Sequence, residues 1–156
     1  MNSHGANVFE IAKLEGIKIE NIRDFSSNIN PLGPSKRALK NLKENLNLLS
    51  TYPDVDYVDL RRSISSYASC DVRNIVLGLG STEILRDTIY YFAPKTAMIL
   101  SPCYSEYERE LKKISSHIFE YKLEEKNDFK INLDQLINTI NEKNIDFLIF
   151  ANPNNP

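Results

Sequence analysis

The 156-residue chain has little of what metal sites, membrane spans or nucleic-acid surfaces require. It carries two cysteines and two histidines. Cys70 and Cys103 lie far apart, and with His4 and His117 they form no ligand spacing. That argues against a structural zinc site and leaves buried or half-buried free thiols as the expected state. Long hydrophobic runs are missing too. The apolar stretches at 96–100 and 147–151 are a few residues each, against the roughly 20 that cross a bilayer. The first residues, Met1 to Gly5, lack a basic segment followed by an apolar one. A cytoplasmic protein with no membrane partner is the expectation. Charge of one sign is scarce: 19 basic against 21 acidic residues give a net charge of -2. No basic stripe marks a nucleic-acid partner. Internal repeats and low-complexity tracts are absent.

What is present is an ordinary globular composition, 42% hydrophobic and 26% charged, in a chain long enough for a core. Its first part reads as an arm. Asn7 is placed to cap a short helix to Glu15 that Gly16 stops. Residues 24–34, Asp-Phe-Ser-Ser-Asn-Ile-Asn-Pro-Leu-Gly-Pro, are dense in turn formers and predict an ordered loop. Ser35 then caps a helix carrying Leu39, Leu42, Leu46 and Leu49 at near-helical spacing. Tyr52-Pro53-Asp54 breaks it. Asp56 is placed to cap the next helix, with Val58, Ile64, Tyr67 and Ala68 as its apolar side.

From Asn74 onward strands and helices alternate. Strands are predicted at 75–77, 97–100, 118–123 and 147–151, and helices over 81–92, from the 102–107 turn to about 114, and over 133–141. Such alternation implies an α/β fold with a mostly parallel sheet covered by helices.

Four segments could carry chemistry. In Gly78-Leu79-Gly80-Ser81-Thr82-Glu83 two glycines permit close backbone approach between a strand and a helix. The helix start offers free N–H groups, and Ser81 and Thr82 add hydroxyls, so the segment suits a phosphate. The third glycine of a dinucleotide fingerprint is missing, and no Gly-Lys-Ser/Thr follows, which excludes a P-loop. Tight strand-to-helix turns also favour glycine and serine for purely structural reasons. In Pro102-Cys103-Tyr104-Ser105-Glu106-Tyr107, a tyrosine after a strand could stack on a flat ring or serve as a core aromatic. In Asn152-Pro153-Asn154-Asn155-Pro156, an asparagine after the last strand could bind a ligand or simply make a turn. A strand that runs into such a turn delivers a polar side chain to the site of an α/β enzyme. In the arm, His4-Gly5 and Ser26-Ser27-Asn28-Ile29-Asn30-Pro31-Leu32-Gly33 read alone as solvated and turn residues.

Taken in order, these segments, with Tyr52-Pro53-Asp54, Tyr57 and Leu60-Arg61, resemble the pyridoxal-phosphate enzymes of fold type I, the aspartate aminotransferase superfamily. Within it the chain most resembles the threonine-phosphate decarboxylases, with the histidinol-phosphate aminotransferases close by. The opening His-Gly and the Ser-x-Asn-Ile-Asn-Pro-Leu-Gly stretch favour the decarboxylases; the other motifs are common to both. The resemblance covers essentially the whole chain.

It implies pyridoxal 5'-phosphate as cofactor, with its phosphate held by Gly80, Ser81 and Thr82. It implies Tyr104 stacked on the pyridine ring and Asn155 hydrogen-bonded to the ring's 3-oxygen. Tyr52 would reach the neighbour's cofactor phosphate in a homodimer, and His4 and Asn28 would bind a phosphorylated amino-acid substrate. Two departures stand out: Ala6 replaces a usual glycine, and Leu79 a usual polar residue. The ring-pairing aspartate, the Schiff-base lysine and the carboxylate-binding arginine of such enzymes all lie beyond the Asn-Pro turn. None of the lysines here matches. The expectation is therefore the N-terminal part of a decarboxylase, with residues 1–73 as arm and interface helices and 74–156 as the first half of the cofactor domain. No catalytic residue and no metal ligand is expected in it. An aminotransferase is the enzymatic alternative, and a remnant or binding module the non-catalytic one.

Overall fold

The computed structural model describes residues 7–154, so His4 and Asn155 lie outside the described residues. The chain divides into two compact units, Met1–Asp56 and Tyr57–Pro156.

In the first unit, α1 (Val8–Glu15) ends on Gly16, whose φ of 63° is the left-handed geometry that closes a helix. At its other end the Asn7 amide donates to the Glu10 carboxylate rather than capping the backbone. A 3-10 turn (Ile19–Asn21) follows. The loop after it is organised by Asp24, whose carboxylate accepts from the Ser26 amide at 2.7 Å, the Ser26 hydroxyl at 2.5 Å and the Ser27 hydroxyl at 2.6 Å. Those bonds hold its pKa below the ordinary carboxylate value, the Ser26 hydroxyl contributing most. The predicted helix from Ser35 is shorter than its leucine spacing suggests. It runs as α2 (Lys36–Glu44), breaks at Asn45 and continues as a 3-10 turn (Leu46–Ser50). Asn45 returns its side-chain amide to the Asn41 carbonyl at 2.8 Å, a local bond that competes with helix propagation.

The second unit opens with α3 (Val58–Ala68). Asp56 does not cap it: Tyr57 stands at the N-cap with φ 50°, and the Asp56 amide is taken by the Asp54 carboxylate at 3.0 Å. Tyr67 is 93% exposed, so it is not on the packed side of α3. Then come α4 (Ser81–Phe92), β1 (Thr96–Ser101), α5 (Glu106–Lys113), β2 (His117–Lys122), α6 (Leu133–Glu142) and β3 (Phe147–Ile149). The sheet has the order β2-β1-β3, and both pairings are parallel.

The central strand explains the layering. Its residues Ala97, Met98, Ile99 and Leu100 are all buried, as a parallel strand covered on both faces requires. Ala97 and Ile99 pack with Ile89 of α4, Leu111 of α5 and Ile149. Met98 and Leu100 point the other way, against Leu136 of α6. Side-chain alternation thus places α4 and α5 on one face and α6 on the other. At the amino ends the Asp146 carboxylate accepts the Lys95 and Thr96 amides at 3.1 and 3.0 Å, fixing the register of β1 and β3.

One expected strand fails to form. Ile75 has an extended backbone, and residues 75–77 alternate in burial, Ile75 buried and Val76 74% exposed. No described strand pairs with them. A strand is a pairing relation, and propensity alone does not supply the neighbour.

Candidate active site

The turn between the extended segment and α4 is the best-defined polar feature of the second unit. The Gly80 amide donates to the Gly78 carbonyl at 2.9 Å, closing a tight turn around Leu79. Gly80 itself has φ 85° and ψ 170°, a region in essence reserved for glycine. Gly78 is needed for a different reason: a Cβ there would lie 2.8 Å from the Ile84 side chain and 3.2 Å from the Glu83 carboxylate. As N-cap of α4, Gly80 brings no side chain to satisfy the first amides. The N–H groups of Ser81, Thr82 and Glu83 therefore remain at the positive end of a 12-residue helix with no intrahelical acceptor. Ser81 and Thr82, the first two residues of α4, are exposed.

The carboxyl ends of β1 and β3 bring further groups together. After β1, a turn carries Tyr104, whose hydroxyl lies 3.5 Å from the Thr82 hydroxyl. Tyr104 stands edge-on to Tyr107, with ring centroids 5.8 Å apart, and stays 40% exposed. After β3, Asn154 donates its side-chain amide to the Pro102 carbonyl at 2.6 Å, tying the Asn/Pro turn to the Tyr104 turn. Both turns thus sit at the carboxyl ends of adjacent parallel strands, where open α/β sheets place ligands.

Of the residues singled out from sequence, Gly80, Ser81, Thr82 and Tyr104 converge. Asn28 and Tyr52 belong to the first unit, where both are exposed, Tyr52 at 86%. Two residues escaped the sequence reading. Asn154 has a structural role in the last turn, through its bond to the Pro102 carbonyl. Glu83 accepts the Leu79 amide at 2.5 Å and pairs with Arg86 at 3.3 Å. The signal for it was present, since a Glu three residues after an N-cap is the capping-box position. Arg86 also pairs with Asp87, the larger of the influences that raise its pKa.

A cavity of about 610 Å³ adjoins the Tyr104 turn between α5 and β2, lined by Pro102, Cys103, Tyr104, Glu108, Lys112 and His117 among others. None of residues 78–84 lines it. Its charges are largely spoken for, Glu108 pairing with Lys112 at 2.7 Å. Burial first, then Glu120 and Glu108, push the Cys103 thiol pKa up, away from the thiolate a nucleophile needs. The open amides and hydroxyls at α4 make the better candidate. Among the described residues no group of three or more potential metal ligands occurs, and no helix is long and apolar enough to cross a membrane.

Known proteins share sequence or fold with this chain. A Caldanaerobacter subterraneus protein bearing the name threonine-phosphate decarboxylase is 40% identical over 98% of this chain. The threonine-phosphate decarboxylase of Salmonella typhimurium is 32% identical over 99% of it. The chain spans only 39% and 42% of those two relatives, about two fifths of their length. The solved histidinol-phosphate aminotransferase of Clostridium acetobutylicum is 37% identical, with a TM-score of 0.75 over 86% of this chain and 39% of that one. The fold alone is shared with the histidinol-phosphate aminotransferase of Sinorhizobium meliloti, solved with pyridoxal-5'-phosphate: 15% identity and a TM-score of 0.78, over 100% of this chain and 44% of that one. The family model for aminotransferases of class I and II matches residues 20–156, and the chain belongs to that family.

Proposed function

We propose that this chain supplies the phosphate cradle of a pyridoxal-phosphate enzyme, and that the whole protein decarboxylates threonine phosphate to 1-amino-2-propanol phosphate, a step of cobalamin biosynthesis. The observation that supports the cradle is the start of α4, where Gly80 leaves the Ser81, Thr82 and Glu83 amides open beside three hydroxyls. A phosphate monoester fits this donor set. The helix dipole favours its charge, the amides and the Ser81, Thr82 and Tyr104 hydroxyls donate to its oxygens, and the nearest carboxylate, Glu83, is turned back onto Leu79.

When bound, pyridoxal phosphate supplies an electron sink for the bond broken at the substrate's α-carbon. The chain's own residues bind and orient. The Tyr104 ring, held edge-on by Tyr107, offers a face on which a pyridine ring can lie. Asn155 holds the ring's 3-oxygen. Tyr52 contacts the cofactor phosphate of the other subunit in a homodimer. His4 and Asn28 hold the phosphate or carboxylate of the phosphorylated amino acid.

Decarboxylation is preferred to transamination because of the His4-Gly5 and Ser26-to-Gly33 motifs and the two decarboxylase relatives. The test is to feed the whole protein, as its gene encodes it, threonine phosphate and, in a separate reaction, histidinol phosphate with a 2-oxo acid as amino acceptor. Carbon dioxide released from threonine phosphate upholds the proposal. Transamination of histidinol phosphate, with no carbon dioxide from threonine phosphate, overturns it in favour of an aminotransferase.

A further inference from the structure

The phosphate cradle depends on a turn that has no intrinsic reason to hold still. Gly78 and Gly80 are the residue type with the most backbone freedom, and Leu79 between them is 92% exposed, with little packing to pin it. Yet the α4 amides point at one place only if Gly80 keeps its φ of 85° and ψ of 170°. One side chain spans the turn from outside. The Glu83 carboxylate accepts the Leu79 amide at 2.5 Å, reaching back four residues. Its carboxylate lies 3.2 Å from where a Gly78 Cβ would stand, so it fits against the turn at the spot glycine leaves clear. Its other oxygen faces the Arg86 guanidinium at 3.3 Å, which offsets a negative charge that would otherwise weaken anion binding at the helix start.

We propose that Glu83 is a positioning residue for the phosphate site: by holding the Leu79 amide it locks the 78–80 turn and aims the Ser81 and Thr82 amides at the cofactor phosphate. The inference rests on the reading of α4 as the cofactor-phosphate cradle. Glu83 does not touch the phosphate; it acts through the backbone. Reach therefore matters more than charge. Asp at position 83 keeps the charge but falls one methylene short of the Leu79 amide. Gln keeps both reach and an acceptor oxygen while losing the charge.

The test compares pyridoxal phosphate with pyridoxal, which lacks the phosphate, by titrating the whole cofactor-free protein and its Glu83→Asp and Glu83→Gln variants and reading bound ligand by absorbance. Wild type is expected to prefer the phosphorylated ligand. Glu83→Asp is expected to lose about tenfold of that preference, the order of one hydrogen bond, with pyridoxal affinity unchanged. Glu83→Gln is expected to keep the preference within about twofold. A general loss of structure would lower both ligands together, and so would overturn the positioning role. So would a Glu83→Asp protein that keeps the full preference while wild type shows it. If wild type itself shows no preference for the phosphorylated ligand, the cradle reading fails and the positioning role falls with it.

Discussion

In the second unit Ile89, Met98 and Leu111 are buried to 1% exposure or less, whereas among the described residues of the first unit only Ala12 is buried, at 9%. The two units reach order by different routes. In the second, the bonds that matter join distant residues: Asp146 to Thr96, Ser116 to Pro94, Asn154 to Pro102. In the first, nearly every side-chain bond is local: Asp24 to Ser26 and Ser27, Asn30 to Leu32 and Gly33, Ser35 to Ala38. Local bonds shape a loop without burying apolar area, and burial is the dominant stabilising term in folding. The comparison teaches that the arm has a defined shape but not a core of its own, and that the sheet unit has both.

The sharpest way to break this comparison is to delete matched leucines. Leu111→Ala, at a fully buried site, should cost about 3 kcal/mol in urea unfolding of the whole protein. Leu42→Ala, at a position 63% exposed on α2, should cost less than about 0.5 kcal/mol. A Leu42 cost close to that of Leu111 would show that the arm is covered in the whole protein.

Backbone geometry provides the next contrast. Gly80→Ala forces a side chain into a conformation that L-residues rarely adopt, although no atom lies within 4 Å of the new Cβ. The expected loss is about 2 kcal/mol of stability, together with weakened pyridoxal-phosphate binding. Gly16→Ala in the arm, at φ 63°, sits in the milder left-handed helical region. It should cost about 1 kcal/mol and leave cofactor binding unchanged. Equal effects on cofactor affinity would remove Gly80 from the cradle.

Helix caps sharpen the comparison further. The Asn132 side chain accepts the Gln135 amide at 3.0 Å at the start of α6, while in the arm Ser35 accepts the Ala38 amide at a long 3.4 Å. Asn132→Ala should lower stability by about 1 kcal/mol and Ser35→Ala by about half as much, both readable as shifts in denaturation midpoint.

The smallest effect expected is acid sensitivity of the arm. Asp24 has a lower pKa folded than unfolded, because the Ser26 and Ser27 hydroxyls and the Ser26 amide bind its charged form. A depressed carboxylate stabilises the folded loop fully above its unfolded value, near pH 4, and loses that contribution as pH falls through the folded value. The Ser26 amide resonance should therefore titrate with a midpoint below that of a free aspartate, and Asp24→Asn should abolish the transition.

Much of this was legible in the chain. Gly16 stops α1, and Ala93, one residue before Pro94, takes the left-handed conformation that closes α4. The three strands of the sheet fall within a residue or two of the apolar runs that announced them. Gly80, Ser81 and Thr82 were also visible as a group, because a glycine turn before a helix has a local signature, and Tyr104 stood out as an aromatic after a strand. What could not be read were relations between distant segments: that Tyr104 arrives at Thr82 across 22 residues, and that the Asn154 amide finds the Pro102 carbonyl across 52.

The sequence by itself determined the stops of α1 and α4, the position of the three paired strands, and that strand and helix alternate into a parallel α/β sheet, because capping, propensity and periodicity act within a few residues. Only the tertiary structure decided that residues 75–77 pair with no described strand, that β1 lies between β2 and β3, and that two turns distant in sequence meet at one end of the sheet. Those outcomes depend on which segments become neighbours, and strand pairing and side-chain packing are properties of pairs of segments rather than of either one alone.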